Sequence, residues 1–323
     1  MVTSRTAPAL WITRKGSAEL RDTGYTLGPE DIEVETLFTG ISRGTERLVF
    51  DGRVPDSEAQ RMRAPFQEGD FGFPVKYGYS AVGRVVSGPE ALQARIVFAL
   101  HPHQARFACP VQAALPVPHP VPPERAILGA NMETALNILW DSGAGPGDRV
   151  AVVGAGVVGA LTAFLASRLP GAEVTLVDTD PRKAALAETL GCAFQPPQAV
   201  EPRADVVIHA SGNAAGLATA LAAAAREATV VEASWYGTAP VSVPLGGAFH
   251  SQRLRIVSSQ VGAVPPHRAP RWTFRRRLEK ALSLLAHPAL DALISGETAF
   301  SDLPHHYGEI LADPGTLCHR VSY

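Results

Sequence analysis

The run Gly154-Ala155-Gly156-Val157-Val158-Gly159 has the spacing G-x-G-x-x-G. Glycines at those intervals suit a diphosphate. The first permits a tight turn, the second lets backbone N–H groups approach the anion, and the third lets a helix pack closely on a strand. Neighbouring residues decide whether the run carries that meaning. Arg149–Val153 before it reads as a short apolar strand, and Val157–Leu169 after it as a helix whose N-terminus adds a positive field. Asp178 ends the next strand, where a carboxylate accepts hydrogen bonds from an adenosine ribose 2′-hydroxyl and repels a 2′-phosphate. The expected ligand is a dinucleotide with a free adenosine 2′-hydroxyl, held by Gly154, Gly156, Val157, Val158, Gly159 and Asp178. A glycine-rich turn without a ligand and a methyltransferase nucleoside site are the alternatives.

The elements that must position this run form a βα alternation. Glu173–Asp178, Asp205–His209, Thr229–Ala233 and Arg255–Ser259 read as further strands. Between them, Asp180 caps a helix with Pro181 at its first position and Gly191 past its end, and Ala214–Arg226 is an alanine-rich helix. Such alternation predicts an α/β fold, a doubly wound parallel sheet with helices on both faces. Ligands of such sheets lie beyond the carboxyl ends of the strands. Ser211, Gly212, Ser234, Trp235 and Ser259 follow or end these strands, with Asn213, Tyr236 and Gln260 beside them.

The flanking regions differ. Ala9–Thr13 and Ala18–Arg21 around Lys15-Gly16 predict a hairpin, and Asp31–Phe38 alternates with Ile32, Val34 and Phe38 on one face and Glu33 and Glu35 on the other. Pro110–Pro123 reads as an extended connection. Trp272–Ala286 is an amphipathic helix, Leu303–Leu311 another, and Leu317–Tyr323 a closing strand. A β-rich start and an α+β tail predict one discontinuous domain, 1–130 with 263–323, interrupted by a dinucleotide-binding domain at 131–262.

Composition narrows the class. The 323 residues are 46% hydrophobic and 19% charged, with a formal net charge of −2, which suits a globular protein without nucleic-acid or anionic-membrane partners. Three scattered cysteines, Cys109, Cys192 and Cys318, make neither a disulfide framework nor a cysteine zinc cluster. The uncharged runs after Arg149 and Asp205 approach bilayer length but read as buried strand followed by helix. The N-terminus lacks the apolar core of a signal peptide. A soluble, cytoplasmic protein acting on a small molecule is expected. His101/His103 and His305/His306 read as core or surface histidines. Arg268, Arg271, Arg275, Arg276, Arg277 and Lys280 against Glu279 make the one basic patch, either steering an anion or simply solvated or facing a second subunit.

With these residues in view, the chain resembles the medium-chain dehydrogenase/reductase superfamily over essentially its whole length. Gly40-Ile41-Ser42-Arg43-Gly44-Thr45-Glu46 resembles the family's early G-I-C-x-[ST]-D segment with one residue added, and Lys76-Tyr77-Gly78-Tyr79-Ser80-Ala81-Val82-Gly83 resembles its P-G-H-E-x-x-G segment. Ile41–Arg47 with Gly52-Arg53-Val54-Pro55 is similar to the bacteriochlorophyllide dehydrogenase-like branch, which oxidises a secondary alcohol on a large ring. The resemblance implies a GroES-like β-rich catalytic domain, an inserted Rossmann domain, a homodimer and a nicotinamide cofactor, NAD(H) preferred over NADP(H) because of Asp178. By family position Ser211, Gly212, Ser234, Trp235 and Ser259 line its nicotinamide half, and Trp235 has the alternative role of covering the edge of the core. It does not carry the metal across. Ser42 or Arg43 stands where the family has a zinc-binding cysteine, Tyr79 where it has the histidine, Ser80 where it has the glutamate, and Ala130 falls near the third ligand.

A zinc-independent member must handle charge and protons with other groups. The candidates are Tyr79, Thr45, Arg43, Lys76 and Glu133. Tyr79 is the first choice, with Lys76 three residues away as the charge that lowers its pKa, although strand alternation points the two apart. Arg43 would neutralise an oxyanion, Thr45 matches a hydroxyl relay, and Glu133 begins a helix. Each has a structural alternative: Tyr79 as packed aromatic, Arg43 as partner of Glu46, Glu133 as helix-start acid. The expected activity is hydride transfer between nicotinamide and an alcohol or carbonyl. A zinc-free enoyl- or quinone-type C=C reductase and a silent NAD(H)-binding protein are the other readings.

Overall fold

A computed structural model of the chain describes residues 3–323. The chain opens with β1 (Thr3–Arg14), β2 (Ser17–Leu27), β3 (Asp31–Ser42), the helix α1 (Arg43–Phe50), β4 (Glu68–Gly69), β5 (Val75–Lys76), β6 (Ala81–Ser87), β7 (Ile96–Ala99), β8 (Arg106–Pro110), β9 (Ala114–Pro116) and α2 (Pro123–Ala126). It continues through α3 (Gly129–Ser142), β10 (Arg149–Val153), α4 (Val157–Ala166), β11 (Glu173–Val177), α5 (Lys183–Leu190), β12 (Ala193–Gln195), β13 (Ala204–His209), α6 (Ala214–Ala223), β14 (Ala224–Glu232), β15 (Arg255–Ser258) and α7 (Phe274–Leu284). It ends with β16 (Ile294–Ala299), α8 (Leu303–Ala312) and β17 (Cys318–Ser322). Two compact units result. One runs through Ala130 and resumes over Leu282–Tyr323, and the other is Asn131–Ala281.

The first unit holds two sheets. One has the order β2-β1-β5-β4, and the other β16-β17-β3-β6-β7-β9 with β8 also paired to β3. The hairpin β1–β2 is longer than its sequence signal and turns at Gly16, where φ is +73°. Closing β17 pairs antiparallel with β3, so the tail becomes an interior strand of a sheet begun hundreds of residues earlier. Ile32, Val34, Ala81, Val85, Val97, Phe107 and Cys109 form its apolar layer. The alternation predicted for β3 fails at two points. Glu33 is buried, because Arg5 and the Tyr25 hydroxyl (2.7 Å) reach its carboxylate. A register shift between Thr36 and Phe38 leaves Phe38 only half-buried. The Pro110–Pro123 segment is not wholly extended: it forms a 3₁₀ turn, then β9 against β7.

In the second unit the six strands are all parallel, in the order β12-β11-β10-β13-β14-β15. Counting within the unit this is 3-2-1-4-5-6, so the winding reverses between β10 and β13. Both faces are apolar, as buried parallel strands require. Ala151, Val153, Val207 and Val230 meet Leu217, Ala220 and Leu221 of α6 on one side. Val150, Val152, Leu176 and Ile208 meet Ile138, Ala163 and Ala187 of α3, α4 and α5 on the other. Helix α5 starts at Lys183 rather than at Pro181, since the Asp180 carboxylate takes the Arg182 N–H (3.0 Å) in a turn; Gly191 caps its end at φ +82°. Among the described residues no helix is long and apolar enough to cross a membrane.

Residues 263–281, placed with the tail by sequence, group with the second unit. Arg277 supplies the reason. Though it sits in the basic run, it is buried, and its guanidinium donates to Glu133 Oε1 (3.0 Å), Asn137 Oδ1 (2.5 Å) and the carbonyls of Val261 (2.5 Å) and Ala263 (3.2 Å). That single side chain ties α7 and the preceding loop to α3. The remaining patch is layered on aromatics: Arg268 lies over Trp140 at 5.3 Å, Trp140 packs on Trp272 at 4.7 Å, and Arg276 lies over Trp272 at 4.2 Å.

The three thiols are free. Cys109 and Cys318 are buried and Cys192 is half-buried. Burial pushes them up to about 12, about 12 and about 11 respectively.

Removing one partner of a buried ion pair strands the other charge, at a cost of about 3–5 kcal/mol, whereas replacing both with apolar groups costs far less. Arg277→Ala is therefore expected to lose about that much stability, and Arg277→Met combined with Glu133→Leu to recover most of it. Urea denaturation of the three proteins checks this, and equal losses for the single and double variants would contradict it.

Candidate functional site

The glycine-rich turn occupies the switch point. Gly154 has φ +108°, and a Cβ there would lie 2.7 Å from the Cα of Ser211, on the turn after β13. A Cβ at Gly159 would lie 1.9 Å from the Gly154 carbonyl oxygen, so α4 and the turn touch backbone to backbone. At Gly156 the outcome differs: a Cβ would meet nothing within 4 Å. The space before Gly156, at the N-terminus of α4, is open. Val157 is buried behind it and Val158 half-buried. Asp178 follows β11 and is half-exposed; its oxygens accept the N–H of Ala155 (2.7 Å) and Asp180 (2.9 Å). The carboxylate and the glycine turn are thus tied together. Arg182, close in sequence, is turned to Asp180 at 2.9 Å.

A polar group that the sequence reading missed stands at the ends of β13 and β14. His209 is fully buried, with Nδ1 2.9 and 2.8 Å from the two oxygens of Glu232 and Nε2 2.6 Å from Ser211 Oγ. Glu232 also accepts the Ser234 N–H (2.8 Å) and the Tyr236 hydroxyl (3.0 Å). Burial pushes the Glu232 carboxyl up, but the hydrogen bonds from His209 and Ser234 win and hold it below the ordinary carboxylate range. Gly212 N–H reaches Ser234 Oγ at 3.1 Å. Trp235 is half-buried, and the Ser259 hydroxyl is turned to Asp141 at 2.6 Å. His209 lies two residues before Ser211 and could have been noticed; Glu232 comes from another strand.

In the first unit, Tyr79 follows Gly78, whose φ is +127° and whose Cβ, if present, would sit 2.9 Å from the His103 ring. The Tyr79 hydroxyl is hydrogen-bonded with Ser42 and Thr45 at the start of α1. Behind them Glu46 has no exposed surface. Its oxygens meet the Ser42 N–H (2.7 Å), His103 Nε2 (3.1 Å) and the Tyr307 hydroxyl from α8 (2.7 Å). His103 Nδ1 reaches Thr39 Oγ1 (2.7 Å), which in turn lies 3.2 Å from the Tyr323 hydroxyl. His103 and its neighbour His101 are core residues. His101 stacks on Phe107 at 3.8 Å, and burial pushes its imidazole down to about 3. His305 and His306 are exposed.

Three expectations need correction. Lys76 does not lower the Tyr79 pKa: its ammonium is spent on Glu68 and on Gln104 (2.7 Å), while burial and Glu46 raise the Tyr79 phenol far above its ordinary value. Glu133 is engaged by Arg277; burial lifts its carboxyl and Arg277 pulls it back. Arg43 does not pair with Glu46, whose partners are those above; burial and Arg47 lower the Arg43 pKa, and Asp313 counters them.

The metal-ligand positions carry a donor set unsuited to zinc. Ser42 and Tyr79 present hydroxyls already bonded to each other, Ser80 Oγ donates to the Ile127 carbonyl at 2.5 Å, and Ala130 has no donor. Zinc sites use thiolates, imidazoles and carboxylates. Among the described residues no group of three or more His, Cys, Asp or Glu side chains could hold an ion.

No protein-family model matches the sequence. Solved structures do. L-Idonate 5-dehydrogenase from Escherichia coli K-12 superposes with a TM-score of 0.79 at 16% identity, covering 100% of this chain and 99% of its own. Acetophenone reductase from Geotrichum candidum, solved with NAD, gives 0.77 at 15% identity, covering 98% and 97%. A Sinorhizobium meliloti protein provisionally named a zinc-binding dehydrogenase, solved with NADP, gives 0.76 at 21% identity, covering 99% and 100%. At such identities the likeness establishes the fold. It is the mixed α/β architecture of the medium-chain dehydrogenases, with GroES-like and Rossmann parts, as the sequence reading expected.

All six tyrosines of the chain are raised in pKa, Tyr25 to about 12 and the others higher, burial leading in every case. Folded values above unfolded ones mean that this stabilisation is complete below the ordinary tyrosine value of about 10 and is lost as pH climbs above it. At pH 11, phenolate absorbance of the native protein is expected to reach only about a fiftieth of the signal given by the same protein in denaturant. Equal signals would show the hydroxyls to be open to water.

Proposed function

We propose that the chain is an NAD(P)-dependent oxidoreductase that transfers hydride between nicotinamide and an alcohol or carbonyl of a small molecule, with NAD(H) preferred and without catalytic zinc. One observation carries the reading. At the switch point of a 3-2-1-4-5-6 sheet, two glycines are packed too tightly for any side chain while the third, Gly156, faces open space at a helix N-terminus, with Asp178 bonded to the same turn. That combination suits a diphosphate and a ribose diol together.

When bound, the cofactor supplies or accepts the hydride. The chain's residues do the rest. N–H groups at the start of α4 hold the diphosphate, and Asp178 accepts from the adenosine ribose hydroxyls. Tyr79 is the proton donor. Its raised pKa keeps the phenol protonated, and Ser42 and Thr45 fix the direction of its hydroxyl. Such a phenol stabilises a developing alkoxide by donating to it. Arg43, at the first position of α1, adds positive charge nearby. Lys76 and Glu133 are committed elsewhere and take no part. Absence of zinc is supported by the hydroxyl and methyl groups at the ligand positions. A homodimer would form through β15, which ends the six-stranded sheet.

NADH is expected to bind about ten- to hundredfold tighter than NADPH, since a 2′-phosphate would meet the Asp178 carboxylate. Fluorescence titration checks this: Asp178→Ser should narrow the gap, and Gly156→Ala should weaken both dinucleotides while leaving the thermal midpoint unchanged. Tighter NADPH binding, or near one zinc per chain by elemental analysis, contradicts the reading.

Tyr79→Phe is expected to lower kcat about 10²-fold or more, because a positioned acid contributes typically 10²–10⁴-fold, and to leave NADH affinity unaltered. Paired kinetics and titration on the variant decide it; a kcat within threefold of the native value removes Tyr79 from the mechanism.

A further inference from the structure

Among the ionisable pairs that the proposed reaction leaves unused, His209 with Glu232 stands at the ends of β13 and β14, beside the glycine-rich turn. Its hydrogen-bond directions can be assigned. A carboxylate only accepts, so His209 Nδ1 carries a hydrogen toward Glu232. Nε2 then has two states. When bare, it accepts the Ser211 hydroxyl at 2.6 Å, and Ser211 accepts Asn213 Nδ2 at 3.1 Å. When protonated, Nε2 donates to Ser211 Oγ, whose own hydrogen must turn outward. The His209–Glu232 pair is anionic in the first state and neutral in the second.

Packing prevents other rearrangements. A Cβ at Gly216 would lie 2.0 Å from Ser211 Oγ and 2.8 Å from His209 Nε2, and one at Gly154 2.7 Å from the Ser211 backbone. Ser211 is therefore clamped between α6 and the cofactor turn. Few other charges compete. Glu232 and Tyr236 face the imidazole from β14 and the segment after it. Helix α6, Ala214–Ala223, has no ionisable residue, and β10 has none beyond Arg149 at its opposite end. Asp178, after β11, is turned to backbone N–H groups. Burial and Glu232 keep the Tyr236 hydroxyl protonated.

We propose that the His209–Glu232 pair senses the charge of the nicotinamide ring: anionic opposite the oxidised, positively charged ring, and proton-binding opposite the reduced, neutral one. The proposal rests on the cofactor reading above. A positive ring bound near this pair would disfavour a second positive charge on His209, and a neutral ring would not. His209 and Glu232 are positioning and proton-holding residues in this scheme.

Linkage makes the scheme measurable without a substrate. If the oxidised ring expels a proton, NAD⁺ affinity rises with pH across the range in which imidazoles titrate, by at most about tenfold per unit. Isothermal titration calorimetry of the full chain, in two buffers of different ionisation enthalpy near pH 6, counts the protons. Up to about one proton released per NAD⁺ is expected, and close to none per NADH. His209→Gln should make the two counts equal, and Ser211→Ala should preserve the difference, since the pair itself remains. If His209→Gln does not fold, ¹⁵N-histidine spectra of the native protein replace it. The resonance perturbed by Ser211→Ala must then shift toward the neutral form on adding NAD⁺ and not on adding NADH. Equal proton counts for the two dinucleotides in the native chain overturn the proposal alone. Failure of both to bind overturns the cofactor reading, and this proposal with it.

Discussion

A carboxyl group with no exposed surface must find its hydrogen bonds inside the protein. Glu46 finds them on three separated stretches: the β3–α1 junction, the loop before β8, and α8 of the tail. The same contacts decide where each stretch lies. Tyr307 brings α8 against α1. His103 is held so closely over Gly78 that only a glycine fits, and Gly78 in turn sets the backbone from which Tyr79 projects. The polar chain from Tyr323 through Thr39, His103 and Glu46 to Tyr307 is the frame on which the proposed proton donor is mounted.

The second unit was legible because its physics is local. Strands buried on both faces read as short apolar runs, and Gly, Pro and Asp mark their ends. Errors there are matters of extent. Strand β14 begins at Ala224, five residues before its apolar signal at Thr229, since the alanine-rich stretch ahead of it holds no breaker. The glycine roles were legible too, because each follows from one atom, the missing Cβ.

Polar networks were not legible, since their members are distant in sequence. Alternation sent Glu33 to solvent, yet Arg5 and Tyr25 meet it from β1 and β2. Arg277 looked like one charge among six on a solvated helix face; only its partners on α3 reveal it as interior. Lys76 and Tyr79, three residues apart, suggested a functional pair, while the lysine's actual partner Gln104 lies on a different strand connection. Hydrophobic periodicity tells which face a residue takes, but not which buried charge it answers.

The raised thiols have a practical corollary. A thiol attacks maleimides, disulfides and peroxides only as thiolate. With values of about 11 and 12, Cys109, Cys192 and Cys318 hold almost none near neutrality, and two of them have no exposed surface to offer. Slow reaction of the native chain with sulfhydryl reagents is the expected consequence. A single cysteine introduced on an exposed position of either unit would be the one reactive thiol, so a fluorophore or spin label could be attached there without first stripping the protein of its own cysteines.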